Sequence, residues 1–282
     1  RGRIVPQEIA DKEAAAKFIE AVGQFERIMN DSGFVTLTRL AASEITGQDG
    51  KAGIIEKYFS LSQTDTTCLK DIGLYPEEMC VGDDILCLHT LSDVEDLPGK
   101  VGTDCRFEKL STDRSDCRLS FAAPVGVLLS CNHVYNQFIF IDDHAENLKN
   151  FEQTARNMQS LSRYSRANQV NKEWIDEYLN EAHSKGLISV RCHCNVMAWS
   201  DDRDELKRIR NDVGSQLALM ECKPRHNTVD TPTLFWAGIP GNEADFPAEE
   251  SFYTFLGQAL CLFVEETNYK SSLSPFGIKM VD

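Results

Sequence analysis

Three consecutive residues, Cys192, His193 and Cys194, carry side chains that bind zinc in many proteins. Structural zinc sites usually separate their paired cysteines by two to four residues. In a β-strand, Cys192 and Cys194 would share one face while His193 points to the other, so a single ion could not easily bind all three. A metal site here would need Cys131 or His133 as additional ligands. We therefore expect a place in a sheet or core, with a metal-dependent enzyme as the alternative.

A second group of residues, His133 and His144 with Asp142 and Asp143, could serve in acid–base chemistry. No nucleophile-elbow motif accompanies these residues. Asp143 is also a good N-cap for a following helix, with Glu146 three residues later completing a capping box. These residues therefore predict a loop and a helix start in preference to a catalytic site.

Loops that cradle phosphate groups need a defined glycine spacing followed by Lys and a hydroxyl residue. The run from Gly47 to Ala52 contains a Gly-Lys pair but lacks both the earlier glycine and the hydroxyl. The run from Leu97 to Val101 fails in the same way, and no dinucleotide-binding glycine motif is present. We expect no catalytic residue and no nucleotide site within this chain.

The run from Trp236 to Asn242 reads as the end of a strand followed by a Pro-Gly-Asn turn. Proline followed by glycine favours a type II turn, because glycine tolerates the positive φ that the third turn residue requires. A plain strand end and an exposed functional feature are both compatible with this pattern.

Composition limits the class of protein. Of the 282 residues, 42% are hydrophobic and 26% are charged, which excludes a disordered chain. No apolar run is long enough for a transmembrane segment. The net charge of −15 disfavours nucleic acid as a partner. Lys207, Arg208 and Arg210 form the most basic stretch, but the acidic residues just before them indicate a solvated helix.

Ten cysteines are scattered along the chain without a signal peptide, which indicates free thiols in a reducing compartment. The chain begins at Arg1, and we expect it to be part of a longer protein.

Hydrophobic periodicity predicts an α+β fold, a sheet with helices packed mainly on one face. The predicted order after residue 120 is β-β-α-α-β-α-β. The predicted strands are 83–91, 124–131, 135–141, 187–199 and 231–239. The predicted helices are 6–30, 54–59, 143–161, 171–185, 201–220 and 248–260. We expect a helical and irregular subdomain over 1–115, an α+β sandwich over 116–270 and a linker over 271–282.

Three segments together resemble the TraG-family ATPases of conjugative transposons, which belong with the conjugation and type IV secretion ATPases. They are Cys131–Asp143 (CNHVYNQFIFIDD), Phe235–Asn242 (FWAGIPGN) and Ser274–Gly277 (SPFG). In that family, the corresponding region precedes a P-loop motor domain whose ATP and magnesium site would lie beyond Asp282.

The resemblance implies a non-catalytic region that packs on its own motor domain and docks to conjugation channel proteins, in the cytoplasm at the inner membrane. The turn Pro240, Gly241 and Asn242 and the loop residues Asn132 and His133 are then candidates for the interaction surface.

Overall fold

The computed structural model describes residues 7–33, 35–62, 64–65, 70–76, 78–108, 111–126, 128–162 and 164–264. The expected linker 271–282 and the Ser274–Gly277 segment lie outside these residues. Internal contacts divide the chain into two units, one comprising Arg1–Lys57 and Thr64–Thr67 and the other comprising Tyr58–Gln63 and Cys68–Asp282. The expected boundary at residue 115 falls inside the second unit.

The first unit is built around one long helix, α1 (Gln7–Asp31), followed by the short α2 (Ala42–Thr46). The predicted helix over 6–30 is therefore confirmed over its described part. Gly33, with φ +74°, follows the helix in the left-handed region where glycine is favoured. The apolar side chains of α1 are largely exposed, with Phe18 at 69%.

The second unit contains a sheet in which, among the described residues, seven strands are joined by antiparallel pairing. Its path is β1-β2-β3-β7-β6, with β8 also paired to β3 and β9 also paired to β7. The strands β4 and β5 form a separate ladder. The strands are β1 (Ile72–Leu74), β2 (Met79–Val81), β3 (Asp84–Leu91), β4 (Asp104–Arg106), β5 (Arg118–Ser120), β6 (His133–Phe140), β7 (Ser189–Ser200), β8 (Arg225–Asn227) and β9 (Phe252–Phe255).

The remaining helices precede, connect or follow these strands and complete an α+β fold, as the sequence predicts. They are α3 (Ile54–Ser60), α4 (Ala123–Gly126), α5 (His144–Leu161), α6 (Arg166–Lys185), α7 (Arg203–Leu219), α8 (Thr231–Ala237) and α9 (Leu256–Leu260). No helix in the described part of the chain is both long and apolar enough to cross a membrane.

The central strand β7 separates two hydrophobic cores because its side chains alternate between the two faces of the sheet. Cys192 and Val196 pack with Val213 of α7 on one face, which also carries α4 and α9; we call it the α7 face. Met197 packs with Phe235 of α8 on the opposite face, which we call the α8 face. The sequence predicts helices mainly on one face of the sheet. In the structure α4, α7 and α9 lie on the α7 face, while α8 covers part of the α8 face.

Two predicted strands are wrong. The described residues of 124–131 contain no strand, and the helix α4 occupies 123–126. Residues 231–237 form the helix α8 instead of a strand, with a proline in the first turn. Proline suits a helix start because its missing N–H would have no intrahelical partner there. The predicted helix 248–260 is in fact the strand β9 followed by α9.

Candidate functional site

The sequence Cys192-His193-Cys194 lies in the middle of β7, and its side chains point to alternate faces, as predicted. Cys192 and Cys194 are fully buried among the apolar residues of the α7 face. Their mutual hydrogen bond and their burial raise the pKa of the Cys192 thiol, which keeps it in the unreactive thiol form.

His193 lies fully buried on the α8 face. Its Nδ1 is 2.6 Å from the carbonyl oxygen of Glu250, and its Nε2 is 2.9 Å from Nδ2 of Asn195. A carbonyl can only accept, so Nδ1 carries the proton and Nε2 accepts from the Asn195 amide. Burial lowers the pKa of His193 to about 4, so the imidazole is neutral at pH 7.

The three side chains therefore do not converge on one point, and the predicted place in the sheet and core is confirmed. Within the residues that the structure describes, no group of three or more His, Cys, Asp or Glu side chains is arranged to hold a metal ion. The ligand set that the metal-dependent alternative requires is divided between the two faces of β7.

A polar row next to His193 was not anticipated from the sequence. Asn136 on β6 donates from Nδ2 to Oδ1 of Asn195 at 3.0 Å. Thr90 on β3 pairs with Asn195 across the sheet, and its fully buried hydroxyl has no hydrogen-bond partner in the described chain. The row orients the Asn195 amide toward the imidazole of His193. Asn136 and Asn195, each within a predicted strand, were the available signal.

The candidate loop residues Asn132 and His133 connect the start of β6 to neighbouring backbone. The ring nitrogens of His133 lie 2.9 Å from the carbonyl oxygen of Cys131 and 3.0 Å from that of Val125. The exposed Asn132 accepts a hydrogen bond at its carbonyl from the Trp199 amide. His133 therefore fixes α4 against the sheet on the α7 face.

The acid–base group next to this loop is engaged in structural contacts. Asp143 caps α5 by accepting from the amides of Ala145 and Glu146, which confirms the predicted helix start. Asp142 forms an ion pair with Arg191 at 2.6 Å. His144 accepts at Nδ1 from the amide of Ser189. Each of these groups thus holds α5 or β6 in place.

The Pro-Gly-Asn turn follows α8 and has the predicted type II form. The Asn242 amide donates to the Ile239 carbonyl at 2.9 Å, and Gly241 has φ +94°. The Asn242 side chain donates from Nδ2 to the carbonyl of Trp236, also at 2.9 Å. The turn and the end of α8 therefore form one hydrogen-bonded unit, with Trp236 44% exposed beside exposed Pro240.

The two halves of the predicted interaction surface are attached to different faces of the sheet. His133 contacts α4 on the α7 face, whereas the turn continues from α8 on the opposite face. Next to the turn, at the end of α8, Trp236 presents a large apolar side chain to solvent.

The basic stretch of α7 is a helix with acidic residues in its first turn, as predicted. Lys207 pairs with Asp204, and Arg208 pairs with Glu205 and Asp212. Arg210 forms no ion pair with any residue that the structure describes.

Comparison with protein-family models and with curated proteins finds no match for this chain.

Proposed function

We propose that this chain is the region N-terminal to the motor domain of a conjugation ATPase of the TraG family. In this proposal it serves docking to channel proteins and packing on its own motor, in the cytoplasm at the inner membrane. ATP and magnesium then act in the motor domain, C-terminal to Asp282. The support is the residue-level resemblance in Cys131–Asp143, Phe235–Asn242 and Ser274–Gly277.

One observation carries the docking function: within the FWAGIPGN segment, Trp236, Pro240 and Gly241 are exposed and lie in one hydrogen-bonded unit. The Asn242 amide closes the turn on Ile239, its side chain donates to the Trp236 carbonyl at the end of α8, and Trp236 is 44% exposed. Exposed tryptophan on a preorganised backbone is typical of residues that dominate binding energy at protein interfaces. The acidic charge of −15 favours protein partners over DNA.

The first experiment is to sequence the parent gene beyond the codon for Asp282. The proposal expects a strand followed by G-x-x-x-x-G-K-[ST] within roughly 50 residues. A reading frame that stops near Asp282 would overturn the motor assignment.

The docking function is tested by DNA transfer from cells that carry the full-length protein with Trp236→Ala. Loss of an interface tryptophan costs about 2 kcal/mol or more, so we expect transfer to fall by at least tenfold. Trp174→Ala is the matched control, because Trp174 is 59% exposed on α6, outside the resembling segments. Equal transfer by both variants, at equal protein levels, would contradict a docking role for the surface formed by Trp236 and the turn.

A further inference from the structure

A cleft of about 650 Å³ lies between the start of α7, β2, β3 and the connection from β8 to α8. This volume is in the range of pockets that hold small molecules. Its base contains the apolar side chains of Met79, Leu86 and Leu206, all of them buried. Each of these side chains is at most 5% exposed, so the base is a narrow apolar floor beneath the polar sides of the cleft.

The sides of the cleft are cationic, although the protein as a whole is strongly acidic. Arg203, Lys207 and Arg210 project from α7 at intervals of four and three residues, so that they share one side of the helix. The charge of Arg203 is neutralised by a bidentate salt bridge, in which its two terminal guanidinium nitrogens donate to the two carboxylate oxygens of Glu78 at 2.7 and 2.9 Å. Lys207 pairs with Asp204 at the exposed surface, where such a pair contributes little free energy.

Arg210 is the cation that remains available to a ligand. It lines the cleft and has no ion-pair partner in the described chain. Its positive charge contributes to lowering the pKa of His226, after desolvation, and so lies within electrostatic range of that ring. A cation left unpaired beside a cleft attracts an anion without first breaking an internal ion pair.

Further hydrogen-bonding groups face the same space. His226, Asn227 and Thr228 line the cleft on the side of β8, and the Asn227 side chain is already hydrogen-bonded to Asp230. Behind them, His89 packs edge-on against His226 with ring centroids 5.5 Å apart, and its buried Nδ1 has no hydrogen-bond partner in the described chain. An anion with three acceptor oxygens could accept from a guanidinium, an ammonium and a hydroxyl here.

We propose that this cleft binds a small organic phosphate, with the phosphate group at Arg210 and Lys207 and its apolar part directed toward the floor of the cleft. Arginine suits phosphate because its planar guanidinium group can donate two parallel hydrogen bonds to two phosphate oxygens. The proposal is independent of the docking function, since the cleft does not include the Pro-Gly-Asn turn.

The test is a calorimetric titration of the full chain with phenyl phosphate, which joins a phosphate to a flat apolar ring. We expect saturable binding that inorganic phosphate and benzyl alcohol each show much more weakly. Arg210→Gln is expected to weaken binding roughly tenfold through loss of the charge-assisted hydrogen bonds. Lys207→Gln provides a second variant on the same side of the helix.

Arg208→Gln is the matched control, because it removes the same charge from the same helix at a residue that pairs with Glu205 and Asp212. It should change affinity less than about twofold, as expected of an exposed charge outside the site. Equal weakening by Arg208→Gln and Arg210→Gln would overturn the proposal, because it would indicate only general charge attraction. No saturable binding up to about 10 mM phenyl phosphate would also overturn it. If benzoate bound as tightly as phenyl phosphate, the assignment of the site to a phosphate group would be overturned.

Discussion

Acidification should destabilise the second unit through two buried histidines, His89 and His193. Burial is the main cause that lowers the pKa of each imidazole from 6.5 to about 4. The folded state therefore resists protonation in a pH range where the unfolded chain accepts it. The stability that the neutral rings provide is fully present above pH 6.5 and is lost as the pH falls toward 4.

The size of the effect follows from these values. A pKa difference of one unit corresponds to about 1.4 kcal/mol, so each histidine accounts for about 3 kcal/mol once the pH is below 4. Between pH 7 and pH 5, each should account for about 2 kcal/mol, and the two together for about 4 kcal/mol. Protonation of His193 also has a direct structural cost, because a proton on Nε2 would remove the acceptor of the Asn195 amide.

The measurement is the free energy of unfolding in urea, followed by circular dichroism at pH 7, 6 and 5. His193→Gln should lower stability at pH 7 by about 1–3 kcal/mol, since it disturbs the buried hydrogen bonds to Glu250 and Asn195. Its further loss between pH 7 and 5 should be about 2 kcal/mol smaller than in the unmodified protein. His183→Gln is the control, because the His183 side chain is 59% exposed. If His193→Gln and the unmodified protein lose stability in parallel, the assignment of a buried neutral imidazole is refuted.

Two further predictions concern the turn and the thiols. Gly241→Ala should reduce the free energy of unfolding by about 1 kcal/mol or more, because φ is +94° there. Gly257→Ala, in the helix α9 with open space around it, should not reduce stability, and urea midpoints compare the two. Ellman's reagent should leave Cys192 and Cys194 unmodified in the native protein and label them after unfolding, as mass spectrometry of the labelled peptides would report. Rapid labelling of either thiol in the native state would contradict the fully buried arrangement.

The sequence was sufficient where a segment had a clear period or a clear cap. The apolar stripes of α5 and α7 predicted both helices, and Asp143 caps α5 as expected. The alternation in β7 predicted that Cys192 and His193 face opposite sides. In each case local chemistry and the final packing favour the same conformation.

The sequence was insufficient where an apolar run had no period. Residues 231–237 are rich in apolar and aromatic side chains, which fit a strand as well as a buried helix. Pro232 was the signal for a helix start that could have decided between them. The strand β9 depends on its pairing with Ser189–Cys192, far away in the sequence, and the cleft joins Met79 to Thr231. Long-range placement of this kind has no local signature.

The polar row on the α8 face gives β7 a unique register. In a strand, a shift of one residue moves every side chain to the opposite face. Such a shift would place His193 and Asn195 among the apolar residues of the α7 face and separate them from the Glu250 carbonyl and from Asn136. Each buried polar group left without a partner costs about 1–3 kcal/mol. Cys192 and Cys194, in contrast, could pack in either core, because a buried thiol behaves as a small apolar group. The apolar residues of β7 therefore pack into the cores on both faces of the sheet, whereas His193 and Asn195 determine which set of side chains faces which core.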